Sequence, residues 1–177
     1  MPGAPAAPRR IAVADRAYIG LGSNLDLPER QIARAVSVCG CTGRWHVACT
    51  ARHLGLRTGP CRFRRRPSRH RPSFAAAAVL LQAMLAIEQS QGRDRSSGRR
   101  NGPRTLDLDL LIFGSAVIDE PGLQLPHPRL QERAFVLLPL LDLAPDLMLP
   151  GAVPLRSLLR PEFASLCWRL PATCAPN

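Results

Sequence analysis

Two aspartates one residue apart, Asp107 and Asp109, interrupt an otherwise apolar run from Leu106 to Phe113. In an extended strand side chains alternate, so Leu106, Leu108 and Leu110 point to one face and both carboxylates to the other. Acidic residues are poor strand formers and like charges side by side repel, so the pair costs stability unless something cationic neutralises it. A divalent cation answers that cost, and Mg²⁺ held by one or two carboxylates plus substrate phosphates is the usual form. On the pair alone, a solvated sheet edge is an equal reading. The arginines tip the balance. Arg93, Arg95, Arg99, Arg100 and Arg104 precede the pair in a Gly- and Ser-containing loop, and guanidinium groups bind phosphate oxygens bidentately. Carboxylate-held metal with flanking arginines is the equipment of phosphoryl transfer. His127, between two prolines, can donate to a phosphate oxygen, and Arg133 can add a further contact. Taken singly, each is an ordinary turn or surface residue.

These groups need a scaffold, and the pattern predicts one of alternating strands and helices. Arg16 to Leu21 reads as a strand, after which Gly22-Ser23-Asn24 turns the chain into a helix with Pro28 and Glu29 in its first turn and Leu27, Ile32 and Val36 on its apolar side. Ala75 to Gln91 is rich in helix formers and ends at Gly92. Leu106 to Phe113 is a second strong strand closed by Gly114-Ser115, Gln131 to Leu143 is helix-like despite Pro139, and Val153 to Leu159 reads as a last short helix. This order predicts a two-layer α/β or α+β sandwich.

The 177 residues fit one domain large enough to fold without disulfides or a structural metal. All 24 basic residues are arginine, which excludes a Walker A, Schiff-base or protein-kinase lysine. No stretch reads as a signal peptide or membrane span, which predicts a cytoplasmic protein with reduced cysteines. The formal charge of +11 is local. Residues 37–74 carry nine arginines and no acid, whereas the rest has fifteen arginines against thirteen acids. The stretch Cys39 to Arg44 has neither strand alternation nor a helical stripe. Cys39, Cys41, His46, Cys49, His53 and Cys61 lack the paired spacing of common zinc sites, and the run Arg62 to Arg71, broken by Pro67 and Pro72, reads as a loose basic stretch. Nucleic-acid binding through 62–71 is the alternative function class, marked by steep salt dependence.

Three blocks in order carry a resemblance. Tyr18-Ile19-Gly20-Leu21-Gly22-Ser23-Asn24-Leu25, Gly102-Pro103-Arg104-Thr105-Leu106-Asp107-Leu108-Asp109-Leu110-Leu111, and Leu125-Pro126-His127-Pro128-Arg129 with Arg133-Ala134-Phe135-Val136-Leu137-Leu138-Pro139-Leu140 resemble the 6-hydroxymethyl-7,8-dihydropterin pyrophosphokinases of folate biosynthesis. The resemblance covers about Ala17 to Val36 and Met84 to Leu147. It implies a ferredoxin-like α+β fold, a two-layer sandwich on a mainly antiparallel sheet, and transfer of the terminal diphosphate of ATP to the pterin hydroxymethyl group, leaving AMP. By the same resemblance Asp107 and Asp109 match ligands for two Mg²⁺ ions. Arg93 and Arg104 match phosphate-engaging arginines, and Arg95 a further basic position of the loop. Glu88 matches a nucleotide-side glutamate and Leu110 an adenine-side position. His127 and Arg133 match further phosphate contacts, and Phe135 one of the rings that sandwich the pterin. Asn101 stands where many members carry Trp. The implied partners are ATP and a pterin, with no membrane and a monomeric state.

The departure lies in the basic segment. The family places there a Tyr-x-x-x-Pro-x-Gly loop and a Pro-Asp-aromatic-x-Asn string that serve the pterin, and neither occurs in register between Ser37 and Ala83. Back-translating Leu56 to Arg62 and reading one base later allows Tyr, Glu, a free position, Ala, Pro, Val and Gly in succession. A frameshift in GC-rich DNA accounts for that match, for the acid-free arginine excess and for the absence of lysine. On this reading 1–177 is one pyrophosphokinase domain with a flexible extension at 1–15, an aberrant segment at 37–74 and a loose tail at 165–177. Residues 37–83 are then expected to be disordered or non-native, depriving the sheet of central strand material. The expected consequence is a defective pterin half beside a complete ATP half.

Overall fold

A computed structural model describes residues 16–23, 27–41, 45–49, 58–65, 73–93 and 105–166. Four strands, β1 (Arg16–Gly22), β2 (Trp45–Cys49), β3 (Thr58–Arg65) and β4 (Asp107–Phe113), form an antiparallel sheet in the order β2-β3-β1-β4. Helix α1 (Pro28–Cys41) joins β1 towards β2, and α2 (Phe74–Ser90) stands between β3 and β4 in sequence. Beyond β4 come the hairpin β5 (Ile118–Glu120) and β6 (Leu123–Leu125), a 3-10 turn (Leu130–Glu132), α3 (Ala134–Leu143), the short pair β7 (Met148–Leu149) and β8 (Val153–Pro154), a second 3-10 turn (Leu155–Leu158) and α4 (Phe163–Leu166). The fold is mixed, with helices and small antiparallel sheets, and is compatible with the α+β class.

Alternation along β1 feeds two cores. Ala17, Ile19 and Leu21 join Ile32 and Ala35 of α1, Ala77, Leu80 and Met84 of α2, and Leu106, Leu108 and Leu110 in one apolar cluster. Tyr18 faces the other way, with Leu111, Ile112, α3 and Phe163. The sheet therefore carries helical material on both faces. This corrects the expected two-layer sandwich: α3 is apolar on nearly every side, which a helix can be only when covered all round. In β4 the register against β1 slips, Tyr18 pairing with Ile112 and Ile19 with Leu110, so Leu111 is an inserted residue. That bulge lets Leu111 and Ile112 both enter the second core, while Asp107 and Asp109 keep the alternation the sequence predicts.

The segment expected to be non-native supplies regular backbone in its described parts. α1 continues through Cys41, β3 pairs with β1 from Arg16↔Arg64 to Gly22↔Thr58 and with β2 from Trp45↔Arg65 to Cys49↔Cys61, and residues 74–83 are helix. Strand pairing runs through backbone N–H and C=O groups, which every non-proline residue carries whatever its side chain. Pro60, unable to donate, stands opposite Gly20 within the β1 pairing, and the described β2 pairing ends one residue away at Cys61.

Smaller differences have local causes. Leu27 is 58% exposed and precedes α1 rather than lining it. Pro28 takes the first helical position, so the Leu27 carbonyl accepts from Arg30 and Gln31, and Ala35 does the packing instead. The expected helix over Gln131–Leu143 is split, with Arg133 extended between the 3-10 turn and α3. Val153–Leu159 begins as β8 and then forms the 3-10 turn. Residues 165 and 166 belong to α4, and the rest of the expected tail, like residues 1–15, lies outside the described residues. Among the described residues no helix is long and apolar enough to cross a membrane.

Candidate active site

The site is assembled by the end of α2, the start of β4 and the turn before α3. Ser73 caps α2, its side-chain oxygen accepting from the Ala76 N–H at 3.3 Å. At the other end Gly92 takes φ +81°, and the chain closes with Gly92 N–H donating to the Gln89 carbonyl at 3.0 Å and Arg93 N–H to the Glu88 carbonyl at 3.1 Å. This is a Schellman C-cap, in which the left-handed residue is favourable only as glycine. Its effect is to fold Arg93 back beside the side chain of Glu88, one turn behind it.

Glu88 is 1% exposed. Its Oε1 accepts from the Leu108 N–H at 2.7 Å and also from Arg93 Nη1. The same Nη1 donates to Asp107 Oδ1 at 2.6 Å. Asp109 has its own arginine, Arg133, whose Nη1 donates to Oδ2 at 3.2 Å. The strand thus presents two neighbouring carboxylates, each held by a guanidinium from a different element. Across the strand pair, Gly20 stands opposite Asp109 and Gly22 opposite Asp107. Neither glycine has a side chain, so the floor beside both carboxylates stays open. Sequence reasoning saw those glycines only as part of a motif; their spacing of two, matched to that of the aspartates, was the available signal.

His127 is tied to the bulge of β4, its N–H donating to the Leu111 carbonyl at 2.8 Å. Its Nδ1 accepts from the Arg129 N–H at 3.1 Å. A nitrogen that accepts carries no proton, so in the neutral ring the hydrogen sits on Nε2, ready to donate to an anion. Burial lowers the His127 pKa from its ordinary value, and the Arg133 and Arg129 charges lower it further, against an upward pull from Asp109 and Glu132. Arg133 lies 5.9 Å from the centre of the Phe135 ring, which brings a half-buried aromatic to the same side as Asp109.

Of the residues singled out from sequence, Glu88, Arg93, Asp107, Asp109, His127, Arg133 and Phe135 are thus brought into one neighbourhood. Leu110 is not: it is 5% exposed and packs in the first core, on the strand face opposite the carboxylates. Arg95 and Arg104 lie outside the described residues, as do Arg99, Arg100, Asn101 and the Arg66–Arg71 part of the basic run. The side chains of Cys39, Cys41, His46, Cys49, His53 and Cys61 also lie outside them, and among the described residues no group of three or more His, Cys, Asp or Glu could hold a metal.

A donor set of two carboxylates and no imidazole or thiolate suits a hard cation that keeps positions for water and phosphate oxygens, and so fits Mg²⁺. Residues 18–145 match the family model of the 7,8-dihydro-6-hydroxymethylpterin-pyrophosphokinases. The chain belongs to this family. It is 43% identical over 155 residues to the 2-amino-4-hydroxy-6-hydroxymethyldihydropteridine pyrophosphokinase of Pseudomonas aeruginosa, covering 81% of this chain and 90% of that one. The like-named protein of Haemophilus influenzae is 33% identical over 159 residues, with coverage of 84% and 92%. That of Methylorubrum extorquens is 38% identical over 146 residues, with coverage of 77% and 87%. The pyrophosphokinase match spans β1 to the end of α3 and so takes in every element that builds the carboxylate site.

Proposed function

We propose that the chain transfers diphosphate from ATP to the hydroxymethyl group of 6-hydroxymethyl-7,8-dihydropterin, giving AMP and the pterin diphosphate. The observation that carries this reading is the Asp107–Asp109 pair on one face of β4 with an arginine on each carboxylate, in a chain of the pyrophosphokinase family. Asp107 and Asp109 are the residues to hold Mg²⁺, as two ions. Bound there, the metal neutralises phosphate oxygens and so lowers the charge barrier to attack on phosphorus. In exchange, Arg93 releases Asp107 and Arg133 releases Asp109, and both turn to phosphate oxygens, so the positive charge around the site follows the negative charge of the substrate. Arg104 and Arg95 are assigned to the same phosphates. His127 donates through Nε2, and Phe135 offers a ring face to the pterin. Catalysis is by positioning and charge stabilisation, without a covalent enzyme intermediate.

The element order β1-α1-β2-β3-α2-β4 with sheet order β2-β3-β1-β4 supports a ferredoxin-like assignment of the fold. The confinement of excess charge to 37–74 supports small-molecule partners over nucleic acid. We assign the chain as a cytoplasmic monomer of one domain. A second reading, nucleotide binding with a weakened acceptor site, rests on the missing pterin strings between Ser37 and Ala83. The frameshift that would explain them is tested by repeated reads of the coding DNA across this region; an unambiguous in-frame sequence removes it. Activity itself is tested by ³¹P NMR of the chain with ATP, Mg²⁺ and the pterin. Equal amounts of AMP and pterin diphosphate support the first reading, and AMP-free mixtures with ATP retained support the second.

A further inference from the structure

Glu88 is the one acid among the seventeen residues of α2, and it points inward. A buried carboxylate is costly unless charge-paired and hydrogen-bonded, and two of the partners of Glu88 lie on either side of the chemistry. One is the Leu108 amide, which sits between Asp107 and Asp109 in the chain; β4 is an edge strand of the sheet among the described residues, so no described strand lies on its other side. The other is Arg93, already folded back by the Schellman turn and in contact with Asp107. At 1% exposure Glu88 has almost no surface left to offer a nucleotide.

We propose that Glu88 is a positioning residue of the pyrophosphokinase site, fixing the strand between the two metal-binding carboxylates and the angle of Arg93 through one oxygen, rather than a nucleotide contact. The inference rests on the pyrophosphokinase reading for its catalytic consequence, but the bracing itself is a property of the ligand-free chain. A residue that acts through others changes the reacting geometry, so its loss falls on kcat and leaves ground-state nucleotide binding nearly untouched.

The variants are Glu88→Gln, which keeps the shape and an acceptor oxygen, Arg93→Ala, and both together, each checked for a cooperative thermal transition. Positioning predicts that Glu88→Gln lowers kcat about 30-fold with the KM for ATP changed less than about threefold. It further predicts that Glu88→Gln costs less than about threefold once Arg93 is already alanine. A nucleotide contact would instead raise the KM for ATP about tenfold or more, and its effect would multiply with that of Arg93→Ala; either result overturns the proposal. A ligand-free readout separates this from failure of the functional reading. By NMR, Arg93 should show distinct, slowly exchanging Nη resonances that collapse in Glu88→Gln and persist in Asp107→Asn, and the Leu108 amide should exchange faster in Glu88→Gln. If the wild-type chain makes no AMP, these signals still decide: their loss in Glu88→Gln supports the brace, and their indifference to it overturns it.

Discussion

The α2–β4 half and the β2–β3 half of the molecule are built on different terms. At the end of α2 each acid meets an arginine: Glu88 and Asp107 share Arg93, and Asp109 takes Arg133. The β2–β3 half lies within a segment of nine arginines and no acid, and its strands join the sheet by backbone pairing, with Arg16 opposite Arg64 in the register. The first half owes its arrangement to particular side chains at particular spacings. The second is described through its backbone pairing, which uses groups that nearly every residue carries. Substitutions should therefore be costly to chemistry in the first half and cheap, or even helpful, in the second.

The largest expected break is at the floor of the site. Gly20→Val places a branched side chain opposite Asp109, where a Cβ would already stand 3.7 Å from the Asp109 Cβ. Because valine is a better strand former than glycine, AMP formation should fall about 30-fold while the urea midpoint holds or rises. Next comes Gly92→Ala, where no atom lies within 4 Å of the added Cβ but φ is +81°. The backbone alone should cost about 1 kcal/mol by urea unfolding, with activity falling further than stability because Arg93 is displaced.

The opposite sign is expected in the other half. Arg64→Glu places an acid opposite Arg16 in the register, and should stabilise the chain by about 0.5 kcal/mol at low salt, an effect that fades as salt is added. A destabilisation of more than about 1 kcal/mol would show that β3 depends on its side chains after all. The smallest effect is a pH slope. His127 has a lowered pKa when folded and an ordinary value of 6.5 when not, so the unfolded chain takes up the proton first as pH falls. Its contribution to stability is full above about 6.5 and is lost as pH drops through the folded value. In urea titrations between about pH 7.5 and 5.5, His127→Asn should flatten that part of the decline.

What could be read in advance follows the same division. Asp107 and Asp109 were legible because strand alternation is strict and acids in an apolar strand are conspicuous. Arg93, Arg133 and His127 were legible as companions of those acids once the acids were in view. Their ion-pair partners were not, since Glu88 and Arg93 meet through a left-handed turn at Gly92 that sequence marks only as a helix end. The burial of Leu110 away from the carboxylates also follows from alternation, which separates it from Asp109 by one residue. β2 and β3 were hidden because pairing leaves no side-chain signature in a segment without periodicity. The third layer was hidden because an all-apolar α3 tells that it is covered but not by which face of the sheet.

Everything proposed for the site turns on Asp107 and Asp109 as the reacting centre. The most direct measurement is AMP release by the purified chain from ATP and Mg²⁺, with and without 6-hydroxymethyl-7,8-dihydropterin, beside the Asp107→Ala, Asp109→Ala double variant. Pterin-dependent AMP should fall by about 10³-fold or more in the double variant. Pterin-dependent AMP that survives the loss of both carboxylates would contradict it.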